Sequence, residues 1–476
     1  MRKFKILFAV SAVILSAVLM LSACTQNSIL NGESGSAGKT DSSLSLDASD
    51  MFTTRDVETD YDESAAQKIT LSEDNPKISI TAEGVYVISG SASDGSITVD
   101  APDDAKVQIV LSGVSLTSKT SAALYVKSAD KVFVTLQKGT ENTLANGGAF
   151  TADGSEKIDG AIYSKSDITF NGEGTLNITS PAAHGIVGKD DVKFTGGAYK
   201  INCASHGVDA NDSIRVLSAA FTITAGKDGL HCDNDEDAEK GYIYIESGTF
   251  SIDVDDDGIH AVTTLQINGG TLNIKAAEGL EATCVLINDG TVSIEASDDG
   301  INAAKKSSAM TPTVEINGGK ITIVMGKGDT DGIDSNGNII INGGTVDITG
   351  NSSFDYDGKG ELNGGTVIVN GSEVTTLPNQ FMGGAGGMGG GPGGMPGGLR
   401  GNFSGETPNS DAITSATPNA DTNGNMPQIP DENETGENTT GRKRPDFGNQ
   451  DGFSGKRFPG QSGDGETLPE RPGKSA

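Results

Sequence analysis

The sequence predicts an all-β chain wound as a parallel β-helix solenoid, and three observations carry that prediction. An opening of acid or His, then Gly, then an aliphatic residue recurs at Asp159, His184, His206, Asp228, Asp257, Glu278, Asp299 and Asp331, and less regularly at Asp357. Successive openings lie 21 to 32 residues apart, the period range of stacked repeats. Within a unit the residues alternate with period two. In TLQINGGTLNIKAA, Leu265, Ile267, Leu272, Ile274 and Ala276 fall on one face, and Thr264, Gln266, Asn273 and Lys275 on the other. An Asn-Gly-Gly turn breaks the alternation at 268, 317, 342 and 363, with Asn-Asp-Gly at 288 and Thr-Gly-Gly at 195. Such turns need positive φ, which glycine supplies. Neither helical spacing nor the Leu/Asn frame of a leucine-rich repeat is present. In a coil of this length each inward residue stacks on its counterpart one coil away, about 4.8 Å along the axis.

The elements follow in order. Residues 1–23 read as a lipoprotein signal peptide: MRKFK is basic, ILFAVSAVILSAVLM is apolar, and Leu21-Ser22-Ala23-Cys24 has the form of a bacterial lipobox. Cleavage there would leave Cys24 as a lipidated first residue. The mature chain would then sit on the extracellular face of the cell membrane without a spanning helix. An uncleaved membrane helix is the alternative for so long an apolar run. Residues 24–60 are rich in Ser, Asp, Gly and Thr and read as a flexible tether. Residues 61–158 hold strands at similar intervals with less regular turns, and are expected to form an N-terminal cap and the first coils. Residues 159–377 are the regular coils. Residues 378–476 open on a Gly-rich run and hold too little apolar surface to offset ordering, which predicts a disordered tail.

The formal charge of −31 argues against nucleic acid as a partner, since phosphate binding needs a basic surface. Cys203, Cys232 and Cys284 are an odd set without metal spacing and read as small buried residues. The chain is expected to be a monomer.

Chemistry concentrates at the coil openings. One ladder is the residue before Gly: Asp228, Asp257, Glu278, Asp299, Asp331. A second lies three positions after it: Asp209, His231, His260, Glu281, Asn302, Asp334. A third set of acids, Asp256, Asp298 and Asp329, precedes the first. Stacked carboxylates about 5 Å apart repel by roughly 1 kcal/mol in water and several-fold more in a dry groove. A bound cation removes that cost, and Ca²⁺ takes six to eight oxygens of this kind. Asp209, Asp228, Asp256, Asp257, Glu281, Asp298, Asp299, Asn302, Asp329, Asp331 and Asp334 are therefore the candidate Ca²⁺ ligands. Each Asp before Gly also has a simpler reading, as a turn residue bonded to its own backbone. The Asn of the turns are expected to stack and hydrogen-bond along the axis. His184, His206, His231 and His260 suggest Zn²⁺ or proton transfer, but no Cys or acid joins them at zinc spacing, so they read as solvated ladder members.

The runs GVYVISGSASDGSITVD, KVQIVLSGVSL, AALYVKSADKVFVTLQKGTENTL, DGAIYSKSDITFNGEGTLNI and HGIVGKDDVKFTGGAYKI resemble the clostridial carbohydrate-binding domain-containing β-helix family, over about 70–370. The resemblance implies a right-handed helix similar to pectate lyases, bound calcium, and binding of cellulose and of acidic sugars such as polygalacturonate. The chain departs from it in having His at 184 and 206, and in its long tail. The sequence has no Trp to form a platform for neutral glucans, which favours an acidic polysaccharide bridged by Ca²⁺. Arg215, Lys189 and Lys227 are candidate contacts to its carboxylates, with pairing to Asp212 the simpler role for Arg215. The expectation is a non-catalytic binder. A calcium-dependent pectate or uronate lyase and a structural envelope adhesin are the alternatives.

Overall fold

The computed structural model describes residues 45–327 and 330–379. The signal peptide, Cys24, the first part of the tether, Asp329 and the tail beyond 379 lie outside them. The described chain is a parallel β-helix with almost no helical residues. Each regular coil has three strands: Ile259–Ala261, Thr264–Ile267 and Thr271–Ala276 in one coil, then Leu280–Ala282, Cys284–Ile287 and Thr291–Ala296 in the next. Register between coils is parallel, with Ile259 opposite Leu280, Ile267 opposite Ile287 and Ile274 opposite Ile294. The short strands stack into a 12-stranded sheet, and the other two sets form a 24-stranded one. They become one sheet because the 13-residue strand Lys106–Ser118 pairs with both Lys131–Leu136 and Glu141–Asn146.

The period-two pattern is what fills the bore. Ile274, Ile294, Ile323 and Ile348 form one column, none more than 3% exposed. β-branched side chains suit this packing because their stiff rotamers stack on a pleated surface. Phe170 stacks on Phe194 at 5.1 Å, and Phe221 on Phe250 at 5.1 Å. Cys232 lies between Ala210 and Ala261 in register and is buried, as is Cys284. Ser372–Val374 folds back antiparallel on Thr366–Val369, and Leu377 packs into the core beyond it.

Two turns of the coil explain its glycines. In the Asn turns Gly270, Gly319, Gly344 and Gly365 have φ of 97°, 81°, 76° and 80°. At the coil opening the reason is close approach: a Cβ on Gly229 would stand 2.5 Å from the carbonyl oxygen of Gly258 in the next coil. The Asn side chains form a continuous ladder. Asn288 Nδ2 donates to Asn268 Oδ1 at 2.8 Å, Asn317 to Asn288 at 3.0 Å, Asn342 to Asn317 at 2.8 Å and Asn363 to Asn342 at 2.9 Å.

Two expectations need correction. The last unit does not open at Asp357: Asp331 pairs with Ser352 and Asp334 with Asp355. The fully buried Phe354, opposite Ile333, sets the register there, because an inward apolar position outweighs an Asp-Gly dipeptide. The tether reading of 24–60 also fails over residues 45–58, which form a strap along the outer face of the 24-stranded sheet. Leu46 N donates to Gln266 Oε1 at 2.7 Å, and Met51 packs with Tyr242 and Tyr244. Thr53 and Asp56 form a capping box on the one-turn helix Thr54–Val57. Asp56 is fully buried, 2.7 Å from Lys131 Nζ and 3.8 Å from Lys193 Nζ, and accepts from Thr169 Oγ1 at 2.8 Å. Burial opposes its ionisation, but the hydrogen bonds from Lys131 and Thr53 and the nearby ammonium charges hold its carboxyl well below the usual range.

Candidate functional site

The coil opening places two side-chain columns side by side. The residue before Gly points outward, Gly has no side chain, the next residue points into the bore, and the one after points outward again. The first column is Asp159, His184, His206, Asp228, Asp257, Glu278, Asp299 and Asp331. The second, paired in register, is Asp209, His231, His260, Glu281, Asn302, Asp334 and Asp355. Together they make a polar strip running along the 12-stranded sheet. Asp228 and Asp299 do more than a simple turn residue would. Each accepts the next coil's N–H: Asp257 N donates to Asp228 Oδ1 at 3.1 Å, and Asp331 N to Asp299 Oδ1 at 3.0 Å.

Toward the C-terminal end the strip is carboxylate-rich and short of positive charge. Burial, then repulsion from Glu281, pushes Glu278 up to about 8. Burial, then Asp299, Asp355 and Asp331, pushes Asp334 up to about 7, and Asp299 rises to about 6 mainly by burial. Among the described residues none of these three forms an ion pair. Asn302 is 9% exposed; its amide donates to Glu278 Oε2 at 2.9 Å, while its Oδ1 is buried with no partner. Orphaned buried acceptors are costly.

In the middle of the strip the charge is already balanced. His260 Nδ1 lies 2.8 Å from Asp257 Oδ2 and 2.9 Å from Glu281 Oε2, and Lys306 Nζ lies 2.8 Å from Glu281 Oε1. Although burial opposes it, His260 is pushed up to about 10 by these two hydrogen bonds. Glu281 is held down to about 2 against its burial, by His260 and then Lys306. Asp257, with burial and Asp228 against it, still rises to about 6. The imidazolium thus compensates Glu281 fully and Asp257 only in part.

The N-terminal end is histidine-rich, and the expectation of solvated histidines is overturned there. The coil register stacks the four rings: His184 on His206 at 5.1 Å, His206 on His231 at 4.2 Å, His231 against His260 at 5.0 Å. Each is at most 16% exposed at the side chain. Acids from neighbouring coils join them: His231 Nδ1 is 2.7 Å from Asp209 Oδ1, and His206 Nδ1 is 3.0 Å from Asp228 Oδ2. These partners lie about one coil apart in sequence, which linear zinc spacing does not reveal. One ligand atom from each member falls within 4.8 Å of the others in His184/His206/Asp209, His206/Asp228/His231, Asp228/Asp257/His260 and Asp257/Glu278/Glu281.

The other predicted site residues divide. Asp228, Asp257, Glu281, Asp299, Asn302, Asp331, Asp334 and Asp209 lie on the strip. Asp256 and Asp298 are exposed beside it, since neighbours in an extended chain point oppositely. Glu278 also lies on the strip, and its place before Gly is the signal for it. Arg215 does not pair with Asp212: its Nη2 is 2.7 Å from Asp191 Oδ2, and its Nε donates to Ser213 Oγ at 2.8 Å. Its Nη1 reaches Met51 O at 3.4 Å, so it lies under the strap and is committed there, not to a glycan. Asp212 pairs instead with Lys240 at 2.6 Å. Lys189 lies 5.9 Å from the Tyr163 ring centroid. Lys227 is exposed and lines a groove of about 410 Å³ with Phe150, Lys157, Asp159 and His184, at the N-terminal end of the strip.

A family model described as carbohydrate-binding domain-containing protein matches residues 74–329 and 280–377. A curated protein of that name from Acetivibrio thermocellus is 41% identical over 216 residues, 45% of this chain and 75% of the relative. A solved structure described as the polysaccharide lyase-like protein from C. thermocellum, gadolinium derivative, is 31% identical with a TM-score of 0.43, covering 48% of this chain and 96% of that one. The family match spans most of the described coils, strip included, and the chain belongs to the carbohydrate-binding domain-containing protein family.

Proposed function

We propose that this chain is a cell-surface lipoprotein that binds acidic polysaccharide of the polygalacturonate kind, and secondarily cellulose, through calcium held on the strip, without cleaving it. The observation that carries the reading is the acid end. Glu278, Asp299 and Asp334 are crowded, half-desolvated carboxyls without cationic partners, and Asn302 turns a buried unpartnered oxygen among them. An all-oxygen donor set with excess negative charge fits Ca²⁺. Glu278, Asp299, Asn302 and Asp334 would hold it, with Asp331 and Asp355 beside them. Bound there, the ion supplies the positive charge by which an acidic surface accepts an acidic polymer. Lys157 and Lys227 give further points of attachment for sugar carboxylates in the groove, and the regular coil repeat suits an extended chain. The lipid on Cys24 would tether the β-helix to the membrane, with residues 25–44 as the remaining spacer. Replacing Cys24 by Ala should release the protein from the membrane fraction.

Calorimetry of the full-length protein should show calcium binding that Asp299→Asn with Asp334→Asn abolishes while the fold persists by circular dichroism. Calcium binding unchanged in that double variant would reject the site. A lyase reading draws on Lys306, whose ammonium lies on the strip. Burial works against its charge, but the Glu281 hydrogen bond and the surrounding acids raise its pKa above the ordinary lysine value, the wrong direction for a base. Incubation with polygalacturonate and calcium is therefore expected to yield no unsaturated uronate absorbance; its appearance would establish cleavage.

A further inference from the structure

We propose that His184, His206 and Asp209 form a binding site for a divalent transition-metal ion of zinc type. The claim is independent of calcium at the acid end. Each of the three residues brings a ligand atom within 4.8 Å of the others. Zinc bound at about 2.0–2.1 Å from nitrogen and oxygen needs ligand atoms closer than this, and each group reaches that by moving under about 1 Å. Two imidazoles and one carboxylate are a zinc-type set that leaves an open position, whereas Ca²⁺ takes oxygen ligands.

Three further features fit the residues to an ion. His184 Nδ1 is buried with no hydrogen-bond partner, an orphaned donor or acceptor that ligation would satisfy. His206 Nδ1 lies 3.0 Å from Asp228 Oδ2 and 3.4 Å from the Asp228 backbone N; a proton on Nδ1 shared with the carboxylate, the nearer partner, leaves Nε2 as the ligand atom. Asp209 is oriented in turn by His231 Nδ1 at 2.7 Å. Thus Asp228 and His231 hold the ligands in place, the arrangement that second-partner residues take around protein-bound zinc. His231 stacks on His206 at 4.2 Å and shields one side, while the groove lined by Phe150, Lys157 and Lys227 opens beside His184. An ion there would stand where an anionic sugar in that groove could reach its open position.

The test is calorimetric titration of the purified full-length protein with ZnCl₂ in saturating calcium, together with visible spectra after Co²⁺ loading. Zinc binding that excess calcium does not displace is expected, with the intensified absorption of low-coordinate Co²⁺. His184→Ala, at the edge of the stack, should abolish both signals. Asp228→Asn should weaken binding about 10–100-fold, and Glu278→Gln, at the acid end, should leave it unchanged. Displacement of zinc by calcium mole for mole, or equal zinc binding by wild type, His184→Ala and His206→Ala, would overturn the proposal. If His206→Ala loses its fold by circular dichroism, the His184→Ala comparison decides alone.

Discussion

Glu278 is the residue at which the strip's charge problem is sharpest. Its Glu278→Gln variant keeps the hydrogen-bond partner of Asn302 and removes a carboxyl whose ionisation its surroundings oppose. In EDTA this variant should melt higher than wild type, and its calcium affinity should fall roughly tenfold or more; thermal melts and calorimetry read both. Asp56 is the opposite case, a buried carboxylate that is paired. Asp56→Ala removes the fully buried counter-charge shared by Lys131 and Lys193, leaving them only Asp167 at 3.9 Å and Asp191 at 3.8 Å, and should cost about 3–5 kcal/mol by denaturant titration. The acids of the strip were legible in the sequence because they sit at one position of a repeat. The histidine cluster was not. Its members occupy two positions, before Gly at 184 and 206 and after it at 231 and 260, and only diagonal contact between coils brings His206 onto His231. Arg215 misled for a similar reason: Asp191, its partner, sits beside the strand position that opposes it one coil earlier, and the sequence neighbour Asp212 points elsewhere.

At the scale of the element, the coil is a set of vertical ladders. The Asn ladder satisfies turn amides by stacking, so Asn317→Ala breaks a donor to Asn288 and an acceptor of Asn342 at once. About 1–2 kcal/mol of destabilisation is expected by urea titration, the worth of one to two side-chain hydrogen bonds. Coils and turns were legible because alternation and positive-φ glycines are local properties. The last register was not, since Ser352-Ser353 lacks both the acid or His and the Gly of the other openings, and inward Phe354 decides it. The strap at 45–58 was illegible for a different reason. Its composition is that of a polar linker, and its order comes from a few anchors: Asp56, Met51 and the Arg55 guanidinium 4.2 Å over the Phe133 ring. Long-range anchors of this kind leave no periodicity to read.

Across the whole molecule the raised carboxyls set a pH dependence. Glu278 titrates near 8 when folded against 4.5 as its ordinary value, and Asp334 near 7 against 3.8. Between those limits the folded state holds protons that the unfolded state has lost, so metal-free stability should fall as pH rises from about 4.5 to 8. Calcium binds the deprotonated groups, so saturating calcium should abolish that fall, and melting curves at a series of pH values with EDTA or calcium check it. The central claim, that a metal-loaded strip recruits an acidic polymer, is tested most directly by affinity electrophoresis of the full-length protein through a polygalacturonate gel. Retardation in calcium that disappears in EDTA, and is lost in the Asp299→Asn, Asp334→Asn variant, is the expected result. Migration that is the same with and without polygalacturonate in calcium would contradict it.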